Sequence, residues 1–158
     1  MKIKFFAIAL AALTLVACEK APQPIVPVLT YFLGEATVEA TAGTVVNADA
    51  RVEFLPYTDG TADLTLYELS FSPKMPMKLD VTVPGVTYVS TPEKITFSGD
   101  GIIPFALGGE FPNYKVTELQ GEIVGDKLTF TLKFGGIPTT YTGEKCEAPA
   151  SLSDSDAK

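Results

Sequence analysis

The chain has 158 residues, a formal net charge of −7, and neither histidine nor tryptophan. The acidic balance argues against nucleic acid as a partner, because phosphate binding requires clustered Lys and Arg side chains. The lack of histidine removes the commonest general base and metal ligand, so a Ser or Cys triad of the usual type cannot be built. We therefore predict a protein that is not an enzyme and that uses no metal and no cofactor.

The chain begins with a pattern typical of a targeting signal. Lys2 and Lys4 precede an apolar run over residues 5–16, which is too short to cross a bilayer but typical of a signal-peptide core. The motif LVAC, ending at Cys18, resembles the lipobox of bacterial lipoproteins. That resemblance implies cleavage before Cys18, a diacylglycerol on its sulfur and acylation of the new terminus. The alternative is an ordinary cleaved signal peptide, residues 1–17, followed by a chance cysteine.

A proline-rich linker follows over residues 18–28. Pro22, Pro24 and Pro27 cannot continue a helix, and such a linker is extended and semi-stiff. The membrane, reached through the N-terminal lipid, is thus the first predicted partner, and three acyl chains would make the anchor permanent. Glu19 stands where an inner-membrane retention signal would place Asp, so we expect the outer membrane, with the domain facing either the periplasm or the medium.

Alternating apolar residues predict the first strands of the body. The apolar face of the first strand comprises Phe32, Gly34, Ala36, Val38 and Ala40. The corresponding face of the second comprises Ala48, Ala50, Val52 and Phe54. Asp59-Gly60 then signals a hairpin turn. The alternation slips by one residue at Tyr67, which is typical of a β-bulge; the alternative places Tyr67 outward on an aromatic girdle.

Later segments continue the β pattern. A strand over residues 79–83 is predicted to end at Pro84-Gly85. After a break at residues 99–101, Ile103 and Phe105 resume the apolar face.

The sequence KLTFTLKF, residues 127–134, shows the clearest alternation of period two. Gly125-Asp126 joins it as a two-residue turn to residues 116–124, which predicts a hairpin. In all we expect about eight to ten strands with short connections, closing into an antiparallel up-and-down β-barrel of about eight strands, since closure removes unpaired edges. The small residues on the inner face permit either tight packing or an open interior, and the sequence leaves both possible.

The order of these segments resembles that of the calycin-like lipoproteins of Gram-negative bacteria. The resemblance covers most of residues 31–143 and includes the aromatic-x-Gly pair Phe32 and Gly34 and the hairpin over residues 119–132. It implies a lipocalin-type barrel over residues 29–143 and no particular activity, because the family has no agreed one. The chain departs from true lipocalins, which carry Gly-x-Trp where this sequence has Gly34-Glu35-Ala36.

Few residues are candidates for a chemical role. The pairs Asp59/Asp63 and Asp100/Glu110 could supply calcium ligands, but Asp-Gly is the commonest turn dipeptide and we interpret them as turn residues.

The long loop over residues 99–114 carries Phe111 and Tyr114. This aromatic pair at the barrel mouth could contact a small hydrophobic ligand, or it could plug the core.

The last segment, residues 144–158, is predicted to be a disordered acidic tail. It contains Cys146, the cysteine left over once Cys18 is lipidated. Glu144 and Glu147 oppose a thiolate there. We interpret Cys146 as an incidental free thiol, with an intermolecular disulfide as the alternative.

The sequence is compatible with two functions. The first is a lipid-anchored binding module for a small apolar molecule, glycan or peptide. The second is a structural or protein-interaction lipoprotein with a filled barrel and no ligand pocket, whose protein partner the sequence does not name. The volume inside the barrel separates them, because ligand pockets run to about 300–1,000 Å³.

Overall fold

Ten β-strands and one 3₁₀ turn lie within residues 20–150, the part of the chain that the computed structural model describes. The strands are β1 (Thr30–Ala40), β2 (Gly43–Pro56), β3 (Thr61–Leu69), β4 (Leu79–Ser90), β5 (Ile95–Gly99), β6 (Phe105–Ala106), β7 (Gly109–Glu110), β8 (Val116–Val124), β9 (Lys127–Phe134) and β10 (Ile137–Cys146); the 3₁₀ turn is Pro112–Tyr114. The predicted signal peptide, the lipidation residue Cys18 and residues 151–158 of the predicted tail lie outside the described residues.

Eight of these strands close into an antiparallel barrel. Its wall runs β1, β2, β3, β4, β5, β8, β9 and β10, and β10 pairs with β1 from Cys146 opposite Tyr31 to Thr139 opposite Val38. The remaining two strands, β6 and β7, form a small hairpin that joins the wall where Ala106 lies opposite Val81. The predicted all-β barrel of lipocalin or calycin type is confirmed.

The burial of β9 shows why the sequence folds this way. Leu128, Phe130, Leu132 and Phe134 are buried, whereas the Lys and Thr side chains between them are exposed or half-buried. Successive side chains of a strand point to opposite faces, so a period of two puts every apolar group on the inside of a curved wall. The predicted turn at Gly125-Asp126 joins β8 to β9.

The change of parity at Tyr67 is a β-bulge, as predicted. The pairing of β3 with β4 shifts register between Leu66 and Leu69, and Glu68 adopts a positive φ of 54°. Leu66 and Leu69 are both buried. Tyr67 points outward and donates a hydrogen bond from its hydroxyl to Glu53 over 2.7 Å. The bulge is therefore present, and Tyr67 also faces outward.

The predicted inward position of Ala48 in β2 was wrong. Ala48 is exposed, because β2 uses the four residues 47–50 where β1 uses only residues 34–36, and the extra residue turns Ala48 outward. Asn47 is buried there instead, bonded through its side chain to the backbone of Ser70. Such a bulge cannot be located from alternation alone, since it depends on the partner strand.

Pro84-Gly85 does not end the fourth strand. β4 continues to Ser90, and its pairing with β3 shifts register beside Gly85, which has a φ of +67°. The Asp63 carboxylate accepts the Gly85 N–H over 3.1 Å. A glycine can adopt this conformation without strain, so the dipeptide kinks the strand rather than stopping it.

The barrel also extends beyond its predicted end at residue 143. Residues 144–146 belong to β10, with Glu144 opposite both Leu33 and Lys127. The Lys145 N–H donates to the Asp126 carbonyl over 2.7 Å. Cys146, predicted in the tail, is therefore a partly buried free thiol at the end of a strand. Backbone pairing on both sides holds this polar segment, which carries no apolar alternation of its own.

Aromatic rings fill the inside of the barrel. The buried rings are Phe32, Phe54, Phe71, Phe97, Phe130, Phe134 and Tyr141. Four of them form a continuous series, in which the Phe97 ring centroid lies 5.5 Å from that of Phe54 and 6.2 Å from that of Phe130. Phe71 and Phe134 form a separate pair at 5.1 Å. Tyr141 stacks on Phe130 at 5.0 Å and an angle of 20°.

The small residues of the wall make room for these rings. A Cβ added at Gly143 would lie 2.2 Å from the Tyr141 hydroxyl, and one added at Gly121 would lie 2.3 Å from the Phe97 ring. The Tyr141 hydroxyl reaches across to donate to the Ala50 carbonyl, two strands away, over 3.2 Å. Of the two possibilities left open by the sequence, tight packing is the one realised at these positions.

We predict that replacing Tyr141 with Phe lowers the free energy of unfolding at neutral pH by about 1 kcal/mol, because the hydrogen bond to Ala50 is lost. Burial, with a smaller contribution from Cys146, raises the pKa of Tyr141 above its ordinary value near 10. The unfolded chain then loses its Tyr141 proton first. The contribution of Tyr141 to stability is therefore fully present below about pH 10 and declines above it.

The Tyr141→Phe variant lacks this proton and should lose less stability between pH 9 and 11. Urea unfolding across that range, followed by circular dichroism, measures the difference. Parallel declines of wild type and variant would contradict the prediction.

Candidate functional site

The two ends of the barrel carry different features. The N-terminal end holds the start of β1, the end of β10 and the turns after β2, β4 and β8. The opposite end, which we call the flap end, holds the loops after β1, β3, β5 and β9. The flap itself is the β6–β7 hairpin, residues 105–110, and it is followed by the 3₁₀ turn.

The predicted pair Phe111 and Tyr114 comes together at the flap end. Their ring centroids lie 6.1 Å apart, and Tyr114 packs on the buried Phe71 at 5.1 Å. The segment is held by backbone hydrogen bonds from Phe111 N–H to the Pro104 carbonyl over 2.8 Å and from Gly135 N–H to the Lys115 carbonyl over 2.9 Å. This packing over the core is that of a plug.

The space beneath this plug is small. A cavity of about 50 Å³ lies between the two rings and the core, lined also by Phe71, Met75 and Leu79. Pockets that hold drug-sized ligands measure about 300–1,000 Å³. Phe111 and Tyr114 therefore do not enclose room for such a ligand.

A larger depression lies outside the barrel beside the flap. This groove has a volume of about 770 Å³ and is lined by Glu68, Lys78, Leu79, Asp80, Thr82, Phe105, Ala106, Leu107 and Gly108. Its floor is the outer face of β4, and its position follows from the register that places Phe105 opposite the outward-facing Thr82.

The flap presents two apolar side chains to solvent. Phe105 is 44 % exposed and Leu107 is 68 % exposed. Phe105 was expected to face inward, but Pro104 and Ala106 are the buried residues of this segment. The parity is reversed because the loop after β5 resets the alternation, so β6 joins β4 with Ala106 inside.

Leu107 sits in a backbone conformation that rarely carries leucine. Its φ is +51° and that of Gly108 is +78°, as in a type I′ hairpin turn. That turn favours Asn or Gly at its first central position, because a larger side chain is strained there. Sequence reasoning missed the flap for this reason, since Leu-Gly is not a usual turn signal.

Charged groups surround these apolar side chains. The Glu68 N–H donates to the Asp80 carboxylate over 2.9 Å, which fixes the bulge at the edge of the groove. Glu110 lies directly opposite Phe105 on the flap, and residues opposite each other in a pair share a face. Lys78 contributes the one positive charge among the groove-lining residues. The groove thus combines apolar contact area with a mainly negative rim.

Three of the acidic residues singled out from the sequence accept hydrogen bonds. Asp59 accepts hydrogen bonds from the N–H and the hydroxyl of Thr61, which lower its pKa. Asp63 accepts from the Tyr57 hydroxyl, and Asp100 accepts from the Glu118 N–H. Asp59 serves a turn, as predicted, whereas Asp100 binds the bulge at Glu118 of β8 and Glu110 lies opposite Phe105 on the flap. Among residues 20–150 no three His, Cys, Asp or Glu side chains converge as metal ligands would.

Comparison with models of protein families, with curated proteins and with solved structures finds no match for this chain. Within the described residues, no helix is both long enough and apolar enough to cross a membrane.

We predict that replacing Leu107 with Asn raises the free energy of unfolding by about 1 kcal/mol, because Asn tolerates the left-handed conformation that strains leucine. Urea unfolding measures the change. Leu33→Asn is the control, since Leu33 is also exposed, at 42 %, but lies in a regular strand. The control should be neutral or destabilising; stabilisation of both variants, or of neither, would contradict the prediction.

Proposed function

We propose that the protein is a lipid-anchored lipoprotein of the bacterial cell envelope, calycin-like in kind, that acts through the outer surface of a filled barrel. It is a protein-interaction module rather than an enzyme or a carrier of small molecules. The observation that carries this choice is the continuous series of rings from Phe54 to Tyr141 along the interior. A carrier would need a pocket where these rings lie.

The anchor is supported by the sequence. The charged start, the apolar core and the LVAC motif ending at Cys18 follow one another as in lipoprotein precursors. The proline-rich segment after Cys18 leads directly into β1. The outer membrane remains the proposed address, because Glu19 follows the lipidated residue.

The groove beside the flap supports the interaction. Phe105 and Leu107 offer apolar contact, and a leucine kept in a strained, exposed position costs stability without filling the core. Glu68, Asp80 and Glu110 favour a basic group on the partner. We therefore propose that the groove takes an extended polypeptide segment bearing apolar side chains and at least one Lys or Arg.

The anchor is tested by the mass of the N-terminal peptide from detergent-extracted protein. We expect Cys18 to be the first residue and to carry three acyl chains, whereas Cys18→Ser should leave an unlipidated, unprocessed chain. Cys146→Ser is the matched control and should be lipidated normally. An unmodified Cys18 in the mature wild-type protein would refute the anchor.

The choice between surface and interior needs a second experiment. A photo-crosslinking amino acid at position 107 should give an adduct of one defined mass in intact envelopes, and Glu68→Lys should abolish it because the rim charge is reversed. Thr140, exposed on β10 at the far side of the barrel, is the control position and should give none. A small molecule retained in the native mass spectrum, with no charge-dependent adduct at position 107, would favour the carrier function instead.

A further inference from the structure

Residues 25–29, which we call the strap, cross the N-terminal end of the barrel. The Ile25 N–H donates to the Thr91 carbonyl over 3.0 Å, and the Ser90 hydroxyl donates to the Ile25 carbonyl. The chain then enters β1 at Thr30, opposite Phe54 of β2. The strap therefore runs from the β4–β5 turn to the β1–β2 side of the opening.

The inner side of the strap covers apolar side chains. Between it and the barrel lies a recess of about 230 Å³, whose walls include Phe32, Phe54, Ile95 and Ile123. The strap thus closes this end of the core, as the plug closes the other.

The strap also exposes apolar side chains to solvent. Val26 is 81 % exposed, Val28 60 % and Leu29 47 %. Val89 and Val124, near the ends of β4 and β8, add two more exposed apolar side chains at the same end. Apolar side chains gathered at one end of a domain favour transfer out of water.

Some of the charges at this end are paired. Lys94 forms an ion pair with Glu122 at 2.7 Å. Lys127 lies opposite Glu144 in the β9–β10 pairing. The exposed carboxylates of Glu93 and Asp126, in the turns after β4 and β8, leave this end with a negative balance. Contact with a lipid surface therefore depends on the apolar side chains and on the tether.

We propose that the strap docks the N-terminal end of the barrel onto the bilayer, with Val26 and Val28 inserted at the headgroup level. The inference rests on the proposed lipidation of Cys18. Seven residue steps separate Cys18 from Ile25, so the strap can lie no farther than about 25 Å from the lipidated residue. The flap end lies roughly 25 Å further along the barrel, given strands of about ten residues. The bilayer is consequently the surface that the strap meets, and the groove beside the flap faces away from it.

The test uses the mature lipidated protein in vesicles of phosphatidylethanolamine and phosphatidylglycerol. In a Cys146→Ser background, single variants Val26→Cys, Val28→Cys and Leu107→Cys are labelled with an environment-sensitive fluorophore; the lipidated sulfur of Cys18 does not react. We expect spin-labelled lipids to quench the labels at 26 and 28 about threefold more than the label at 107, because an apolar segment docked at the interface lies at the headgroup–acyl boundary.

A second measurement separates docking from folding. A label at Val89→Cys should lose its quenching when Val26 and Val28 are both replaced by Asp, with thermal unfolding of the same variant showing that it remains folded. Unquenched labels at 26 and 28 on protein that remains vesicle-bound would overturn the docking and leave the lipid anchor standing.

Two other outcomes also overturn the inference. Shielding of the labels that depends on protein concentration and not on lipid quenchers would assign the strap to a second copy of the chain. Protein that carries no lipid by mass and does not partition into the vesicles would refute the proposed function, and the docking with it.

Discussion

The stacking of rings across the barrel interior is the constraint on which the rest of the structure depends. Phe54 of β2 meets Phe97 across the interior, and Phe97 continues the series to Phe130 and Tyr141. The rings fit because Gly121 and Gly143 leave out the side chains that would meet them. A closed barrel of eight strands is just wide enough for side chains to fill or for one small ligand. Because large rings pack against glycine here, side chains fill this part of the interior.

The packed rings, and a recess under the strap of only about 230 Å³, favour a function at the outer surface. The groove beside the flap brings together features that a stable fold does not need, namely an exposed phenylalanine, a leucine at positive φ and a mainly acidic rim. Strain of this kind is retained where the surrounding structure over-determines it. Pairing of β6 with β4 supplies that support, because Ala106 is anchored in the core while Phe105 and Leu107 project outward.

The two ends of the barrel are closed by different devices. At the flap end, Tyr114 packs on Phe71 and is tied by backbone hydrogen bonds. At the N-terminal end, the strap crosses the opening, and Ile25 is hydrogen-bonded to the β4–β5 turn. This polarity suits a domain tethered at one end, because the closure nearest the tether is apolar on its outer side and the groove lies at the opposite end.

The sequence by itself determined the fold class and most of the wall. Alternation in residues 127–134, the turn at Gly125-Asp126 and the slip at Tyr67 are local patterns, and each depends only on the geometry of a single strand or hairpin. Tertiary structure alone decided where the alternation fails. Ala48 turns outward, β4 kinks at Gly85, β10 continues to Cys146, and Phe105 is exposed. Each of these depends on the register of a partner strand. The interior volume and the groove were likewise beyond the sequence, because both arise where residues far apart in the chain meet across a closed wall.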